Sequence, residues 1–199
     1  MATQVTRNGD YTFDDFLVLV AEDEKADLLD GVIYMASPES TDDNSLEGWL
    51  YRLLGGFIEE LDLGELYITR VAFRITEKQG PEPDLAFVSK RRRKSIHRGF
   101  VAGPPDVAVE IVSPDSVQRD YVKKRQVYEH AGVREYWIID PAERRATFLR
   151  LTRGKFREVA LVDGHLFRST ALPGLLLDVR WLWANRRPSA MRLVQKMIG

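Results

Sequence analysis

The sequence predicts a mixed α/β domain, an α+β mixed sheet with an N-terminal β-hairpin and a C-terminal β extension, and three observations carry that expectation. Asp30-Gly31 stands between the apolar runs Leu28-Leu29 and Val32-Ile33-Tyr34-Met35, the strongest short hairpin signal a sequence offers. Leu46, Trp49, Leu50, Leu53, Leu54, Phe57, Ile58 and Leu61 recur at three- and four-residue steps, the period of a long core helix. Three apolar runs of strand length follow, Leu85–Val88, Val107–Val112 and Tyr136–Ile139, the last two separated by a helical pattern. A chain of 199 residues buries a full core without staples, so residues 1–199 read as one domain with its core at about 42–141.

Taken in order, Thr12 is the N-cap of a short amphipathic helix, with Asp14 and Asp15 in its first turn. The hairpin at Asp30-Gly31 ends at Ser37-Pro38. The long helix starts at Asp42 or Asp43 and stops before Gly64. Gly55-Gly56 inside it weaken the helix by roughly 1 kcal/mol each relative to alanine, which points to close packing against the sheet. A strand from about Glu65 to Ile75 precedes the strand opened by Asp84, then the basic loop Lys90 to Lys94, Gly103-Pro104-Pro105 and the strand holding Glu110. A helix from Asp115 or Ser116 to Gly132 carries the inward stripe Val117, Tyr121, Lys124, Tyr128 and Ala131. Lys123 and Arg125 are rotated about 100° away and face solvent. Pro141 stops the strand Glu135 to Asp140. Three or four further strands follow, with turns at Arg153-Gly154, Asp163-Gly164 and Pro173-Gly174, and a last helix from about Ser189 shows Met191, Val194, Met197 and Ile198 on one face.

Composition narrows the chemistry. With no cysteine, disulfides, thiolate zinc sites, iron-sulfur clusters and a cysteine nucleophile are excluded. His97, His130 and His165 are too scattered for a histidine-rich site, so a metal would be held by oxygen. The polar start at 1–10 lacks the apolar centre of a secretory signal, and no window approaches a membrane span, so the expected location is cytoplasmic, with no membrane partner. A net charge of -1 offers no global attraction to nucleic acid, and such a function needs a local basic patch.

Two acids stand out because each sits at the end of a run that should be buried, Asp84 at the start of one strand and Glu110 near the end of the next. A carboxylate there is costly unless it is paired, hydrogen-bonded or on a metal. With the backbone carbonyl of Ile111 they offer three oxygens, and Lys124 on the following helix offers one ammonium. Oxygen ligands with water in the remaining positions suit Mg2+ or Mn2+. A lysine beside the ion orients the attacking water or stabilises charge on a phosphate oxygen, which fits phosphodiester hydrolysis. The competing readings are a strand-start acid bonding to loop amides for Asp84, and a structural pair with Asp120, or snorkelling, for Lys124. Lys90, Arg91, Arg92, Arg93 and Lys94 are either a solvated loop or a phosphate-binding patch next in sequence to the Asp84 strand. Gln118 is at best a secondary contact. Tyr128, Trp137, Trp181 and Trp183 read as core or interface aromatics.

Pro83-Asp84, the run Asp106 to Pro114, then Asp120, Lys124, Tyr128, Gly132-Val133 and Glu135-Tyr136-Trp137-Ile138-Ile139-Asp140-Pro141 resemble the Uma-two family of the PD-(D/E)XK restriction-endonuclease-like superfamily. The Asp-Gly hairpin with Met35 and Pro38, and Leu172-Pro173-Gly174-Leu175, extend the resemblance over nearly the whole chain. It implies a restriction-endonuclease-like core, a mixed four-stranded sheet flanked by helices, with Asp84 and Glu110 as metal ligands. Val112 stands where the superfamily places its lysine, and the resemblance implies a lysine moved to the following helix, at Lys124. Asp43 stands where many relatives carry histidine. Asp43 and Glu47, at the start of the long helix, are additional site candidates.

The leading expectation is a divalent-metal-dependent nuclease acting on DNA. Two alternatives stay open: a module that keeps the fold and binds or assembles without cleaving, and a hydrolase of small phosphorylated substrates. A sheet edge or the Trp181-Trp183 segment would serve a homodimer.

Overall fold

A computed structural model describes residues 6–7, 9–21 and 23–199. The polar start at 1–10, whose lack of an apolar segment was noted above, lies largely outside them. In chain order the elements are β1 (Thr6–Arg7), α1 (Phe13–Leu19), β2 (Ala26–Leu29), β3 (Val32–Met35), α2 (Thr41–Glu60), β4 (Gly64–Ile68), β5 (Ala72–Arg74) and β6 (Leu85–Ser89). They continue with β7 (Ile96–His97), β8 (Phe100–Ala102), β9 (Val107–Ile111), α3 (Arg125–Ala131) and β10 (Glu135–Asp140). The chain closes with β11 (Arg145–Thr152), β12 (Lys155–Glu158), β13 (Leu166–Arg168), β14 (Leu176–Asp178) and α4 (Ala190–Ile198).

The central sheet has six strands in the order β12-β11-β10-β9-β6-β4. It is mixed: β9 and β10 are parallel, joined through α3, and every other neighbouring pair is antiparallel. Strand alternation sends Leu85, Phe87, Val107, Val109, Trp137, Ile139 and Phe148 to the face covered by α2. Ala108, Val112, Tyr136, Ile138 and Leu149 go to the opposite face, against Tyr128 of α3. Beside α3, the small sheet β5-β8-β7 covers Ala86 and Val88 on that same face.

The hairpin forms where Asp-Gly places it, because Asp30 (φ 51°) and Gly31 (φ 74°) both adopt the left-handed backbone that a two-residue turn between twisted strands requires. Thr12 caps α1 in a reciprocal capping box with Asp15. Ser40 caps α2, its oxygen accepting from the Asp43 amide at 3.1 Å while its hydroxyl donates to Asp43 Oδ2 at 2.7 Å.

Three expectations need correction. The strand expected over Glu65 to Ile75 is broken, because Thr69 (φ 27°) and Arg70 (φ 53°) cannot continue a pleat, and β5 leaves for the small sheet. The helix after Ser113-Pro114 is not a uniform α-helix: Arg119–Lys124 form a π turn, continued as α-helix by α3. A π turn uses one residue more per turn than an α turn, so the inward face slips. Ahead of it Ser116, Arg119 and Asp120 point in, and Val117, expected in the inward stripe, is exposed. Lys123 does not face solvent freely either, since its ammonium bonds the Tyr34 hydroxyl and lies 4.5 Å from the ring centre. At the C-terminal end four strands form, as β11 and β12 extend the central sheet while β13 and β14 pair separately.

A buried acid fastens that last segment. Glu135 Oε1 accepts from the Thr170 amide at 2.7 Å, the Thr170 hydroxyl at 2.8 Å and the Ala171 amide at 3.2 Å, while Oε2 accepts from Ser169 Oγ at 2.7 Å. Every oxygen of this carboxylate is satisfied, which is what a structural acid in a strand needs.

Gly55 and Gly56 do not serve close approach to the sheet. A Cβ at Gly55 would lie 3.8 Å from Leu66 Cδ2 and one at Gly56 would lie 3.5 Å from Val194 Cγ2 of α4, both ordinary van der Waals contacts. Alanine therefore fits at each position and removes the entropic penalty of glycine in a helix. Gly55→Ala and Gly56→Ala should each stabilise the protein by about 0.5–1 kcal/mol, seen as thermal midpoints raised by about 1–4 °C in calorimetry. A lowered midpoint in either variant would mean that the backbone there needs glycine after all.

Candidate functional site

Strand register brings the two acids together. β6 pairs with β9 so that Leu85 lies opposite Val109, and one step further Asp84 faces Glu110. Leu85 and Val109 point to α2, so alternation sends Asp84 and Glu110 out of the opposite face, at the open end of the sheet. Asp84 Oδ2 accepts from the Ile111 amide at 2.5 Å, and Oδ1 is paired with the ammonium of Lys25. Glu110 Oε1 accepts from the Tyr128 hydroxyl at 2.9 Å, and Oε2 is paired with Lys124 Nζ at 2.9 Å.

Lys124 is 2 % exposed and touches more than Glu110. Its Nζ lies 2.9 Å from Asp27 Oδ1 on β2 and 3.8 Å from Asp120 Oδ1 in the π turn. Arg119 joins the group, with Nε 3.1 Å from Asp27 Oδ2. Ser116 Oγ donates to Asp120 Oδ2, and Tyr136 Oη donates to the Asp120 carbonyl at 2.9 Å. The π turn is what lets Arg119, Asp120 and Lys124 converge from so short a stretch.

Charge sets the protonation of these groups. Burial works against the Lys124 ammonium, but the carboxylates of Asp27, Glu110 and Asp120 outweigh it and hold the lysine protonated well above its ordinary range. Burial also opposes ionisation of Asp27, yet Lys124 and Arg119 pull its pKa below the ordinary value. One ammonium cannot offset every acid: burial, opposed by Lys124 but reinforced by Asp120, Asp84 and Asp27, pushes Glu110 up to about 8. Burial likewise raises Asp120 to about 6. Across the cleft, burial and the nearby carboxylates of Asp84 and Glu39 raise Glu47 to about 8.

These residues line a cleft of about 270 Å³ between the start of α2, the end of β3 and the loop after β9. Asp84, Glu110, Ile111, Lys124, Asp43 and Glu47 all border it. Asp43 is tied to the Ser40 cap. Ile111 brings its amide to Asp84. Gln118 is exposed and does not border the cleft. Lys90 to Lys94 form a short 3-10 turn after the far end of β6, roughly 16 Å of strand from Asp84. Within it Lys90 pairs with Asp62, Arg92 donates to the Pro104 carbonyl and Arg93 pairs with Glu65. Sequence adjacency thus does not place this loop at the cleft.

Sequence reasoning missed Lys25, Asp27, Glu39, Glu82 and Arg119. Asp27 carried a signal like that of Glu110, an acid next to the apolar run Leu28-Leu29, and the strand is buried at every position. Glu82, between two prolines, is buried and accepts from the Ala26 amide at 3.2 Å, while its own amide donates to Asp27 Oδ1 at 2.9 Å. Burial lifts its pKa to about 7. Glu39 joins Glu47 and Asp84 in a group whose ligand oxygens all lie within 4.8 Å of one another.

Two stability predictions follow from this charge balance. Lys124→Met should cost about 3–5 kcal/mol in urea denaturation, because it leaves the buried acids Asp27, Glu110 and Asp120 without the ammonium that joins them; a loss below 1 kcal/mol would show that they re-pair without it. In EDTA, Glu47 and Glu110 keep their protons up to about pH 8 when folded, against an ordinary value of 4.5. Between those values the unfolded chain binds fewer protons, so stability falls as pH rises from about 5 to about 8. Thermal midpoints should record that fall, and Glu47→Gln should make it shallower; an identical slope in wild type and variant would refute the assignment to Glu47.

No curated protein matches the chain. Among solved structures it is similar to one described as a "putative nuclease belonging to DUF820 from Anabaena variabilis ATCC 29413", with a TM-score of 0.72 at 18% identity. The match covers 86% of this chain and 97% of that one, so the two share a mixed α+β fold. A family model described as "Putative restriction endonuclease" matches residues 13–180. That span holds the hairpin, α2, both acid-bearing strands and Lys124, and the chain accordingly belongs to the Uma2 family of nuclease-type proteins.

Proposed function

We propose that the protein is an endonuclease that hydrolyses phosphodiester bonds of DNA with the help of a divalent cation, Mg2+ or Mn2+. The observation that carries this reading is the surplus of acid in the cleft, where, among the described residues, Asp27, Glu39, Asp43, Glu47, Asp84, Glu110, Asp115 and Asp120 face only Lys25, Arg119 and Lys124. A phosphate entering such a cleft would be repelled, and a divalent cation reverses the sign of the interaction at its centre.

The residues fit such an ion. Glu39, Glu47 and Asp84 supply oxygens close enough together to share it. Glu47 is 3 % exposed, and its Oε1 is buried without a hydrogen-bond partner among the described residues, which a cation would satisfy. The donor set is all oxygen, the chemistry of a hard ion. Asp84, Glu47 and Glu39 would hold it, with Glu110 beside Asp84 as a further ligand. When bound, the cation polarises the phosphoryl group and makes water a better nucleophile. The chain's own groups do the rest. The Ile111 amide fixes Asp84, Tyr128 and Lys124 fix Glu110, and Ser40 holds Asp43 at the rim.

Plasmid and oligonucleotide cleavage tests the reading. Wild-type protein should cut with Mg2+ or Mn2+ and stop in EDTA. Asp84→Asn and Glu47→Gln should each lower cleavage at least about 100-fold and weaken Mn2+ binding in titration calorimetry. Undiminished cutting in EDTA, or in both variants, would overturn the proposal.

A further inference from the structure

The acid cluster accounts for a cation at the cleft but leaves open which side chain meets the phosphate once it arrives. Among the described residues, three basic side chains border the cleft, those of Lys25, Arg119 and Lys124. Their side chains differ sharply in exposure, at 19 % for Lys25, 7 % for Arg119 and 2 % for Lys124. They differ as much in their commitments. Lys124 stands between Asp27, Glu110 and Asp120, and Arg119 is paired with Asp27. Turning either toward a ligand would strip buried carboxylates of their counter-charge.

Among the described residues Lys25 is ion-paired with Asp84 alone, and that residue also belongs to the group fit to hold a cation. Its backbone is pinned on both sides. The Ala36 amide donates to the Lys25 carbonyl at 2.9 Å across the hairpin, and the neighbouring Ala26 amide donates to Glu82 at 3.2 Å. A fixed backbone carrying an ammonium that is paired with a single acid at the cleft, on a side chain less buried than those of Arg119 and Lys124, is the arrangement that lets a lysine follow charge from a carboxylate to a phosphate oxygen.

We propose that Lys25, from the N-terminal hairpin, is the catalytic lysine that contacts the scissile phosphate, and that Lys124 is a positioning residue that holds Glu110, Asp27 and Asp120. The assignment rests on the phosphodiesterase reading of the cleft. In it the Lys25 ammonium leaves Asp84 Oδ1 for a non-bridging oxygen of the phosphate and stabilises the charge that builds there as the bond to the leaving oxygen breaks. The hairpin is then part of the active site, and the lysine absent after Glu110 is supplied from another layer of the fold.

Lys25→Gln tests this, because the amide still donates to Asp84 while the charge is gone. With linear duplex DNA and Mn2+, Lys25→Gln should cut at least about 100-fold more slowly than wild type and bind Mn2+ in calorimetry within about threefold of it or more tightly. Lys25→Arg, which restores the charge, should recover at least a tenth of wild-type cleavage. Should Lys25→Gln fail to fold, Lys25→Met carries the same expectation. A neutral variant that cuts within threefold of wild type would overturn the assignment, as would one that loses Mn2+ binding together with cleavage, since Lys25 would then organise the cation site. A wild-type protein that cleaves no nucleic acid would instead overturn the phosphodiesterase reading itself, and the assignment with it.

Discussion

A single ammonium holds the layers of this protein together at their junction. Lys124 Nζ reaches Asp27 on the hairpin, Glu110 on the central sheet and Asp120 in the π turn, three elements that share no strand pairing with one another. Burying that many charges costs several kcal/mol per ion before any attraction is counted, and the arrangement persists only because the partners satisfy one another. The hairpin sheet meets the rest of the fold through this contact, through Lys25–Asp84, Arg119–Asp27 and Lys123–Tyr34, through Glu82 and through the Leu28–Gly80 bridge. Phe13 and Phe16 pack with Leu28, Ile33 and Ala72 of β5, so an apolar cluster joins it to the small sheet as well. The charged junction and this cluster together orient the hairpin, and with it Lys25.

Two buried strand acids show why a carboxylate's surroundings decide its use. Glu135 and Glu110 stand on neighbouring parallel strands, each among apolar residues. Around Glu135, hydroxyls and amides from 169–171 fill the acceptor positions, and the acid becomes a clasp for the C-terminal segment. Glu110 has one hydroxyl and one shared ammonium, and it lies among further acids. A sequence shows both as anomalies of the same kind. Only the donors gathered from distant segments separate a structural acid from one with acceptor capacity to spare.

That distinction sets what was legible in the sequence. The hairpin, the period of α2 and the strands bearing Asp84 and Glu110 were written in local patterns, because alternation and caps act over a few residues. Lys124 was found by helical spacing, yet the spacing assumed a uniform α-helix and so put Val117 inward and left Arg119 out. A π turn has no local signature strong enough to announce it. Lys25 and Asp27 were hidden for a different reason. They lie about sixty and about a hundred residues from their partners Asp84 and Lys124, and nothing in the local pattern of the hairpin announces contacts so distant. Lys90 to Lys94 misled in the opposite direction, since five residues of extended chain carry a neighbour in sequence to the other end of a sheet.

The same geometry bears on why a nuclease-type fold can lack a lysine two residues after its second acid. Val112 occupies that position and packs with Ala108, Tyr128 and Tyr136 in the core on the α3 side. A lysine there would lose those apolar contacts, whereas Lys25, immediately before β2, already borders the cleft. Moving the cation to the hairpin keeps the apolar packing of Val112 and divides the labour of one side chain between two. Lys124, sealed among acids, keeps the junction assembled. Lys25, held to one of them, retains a charge that can be redirected. The cost of that division is that a site in the sheet depends on how a separate layer is docked, and the docking depends on the ammonium of Lys124.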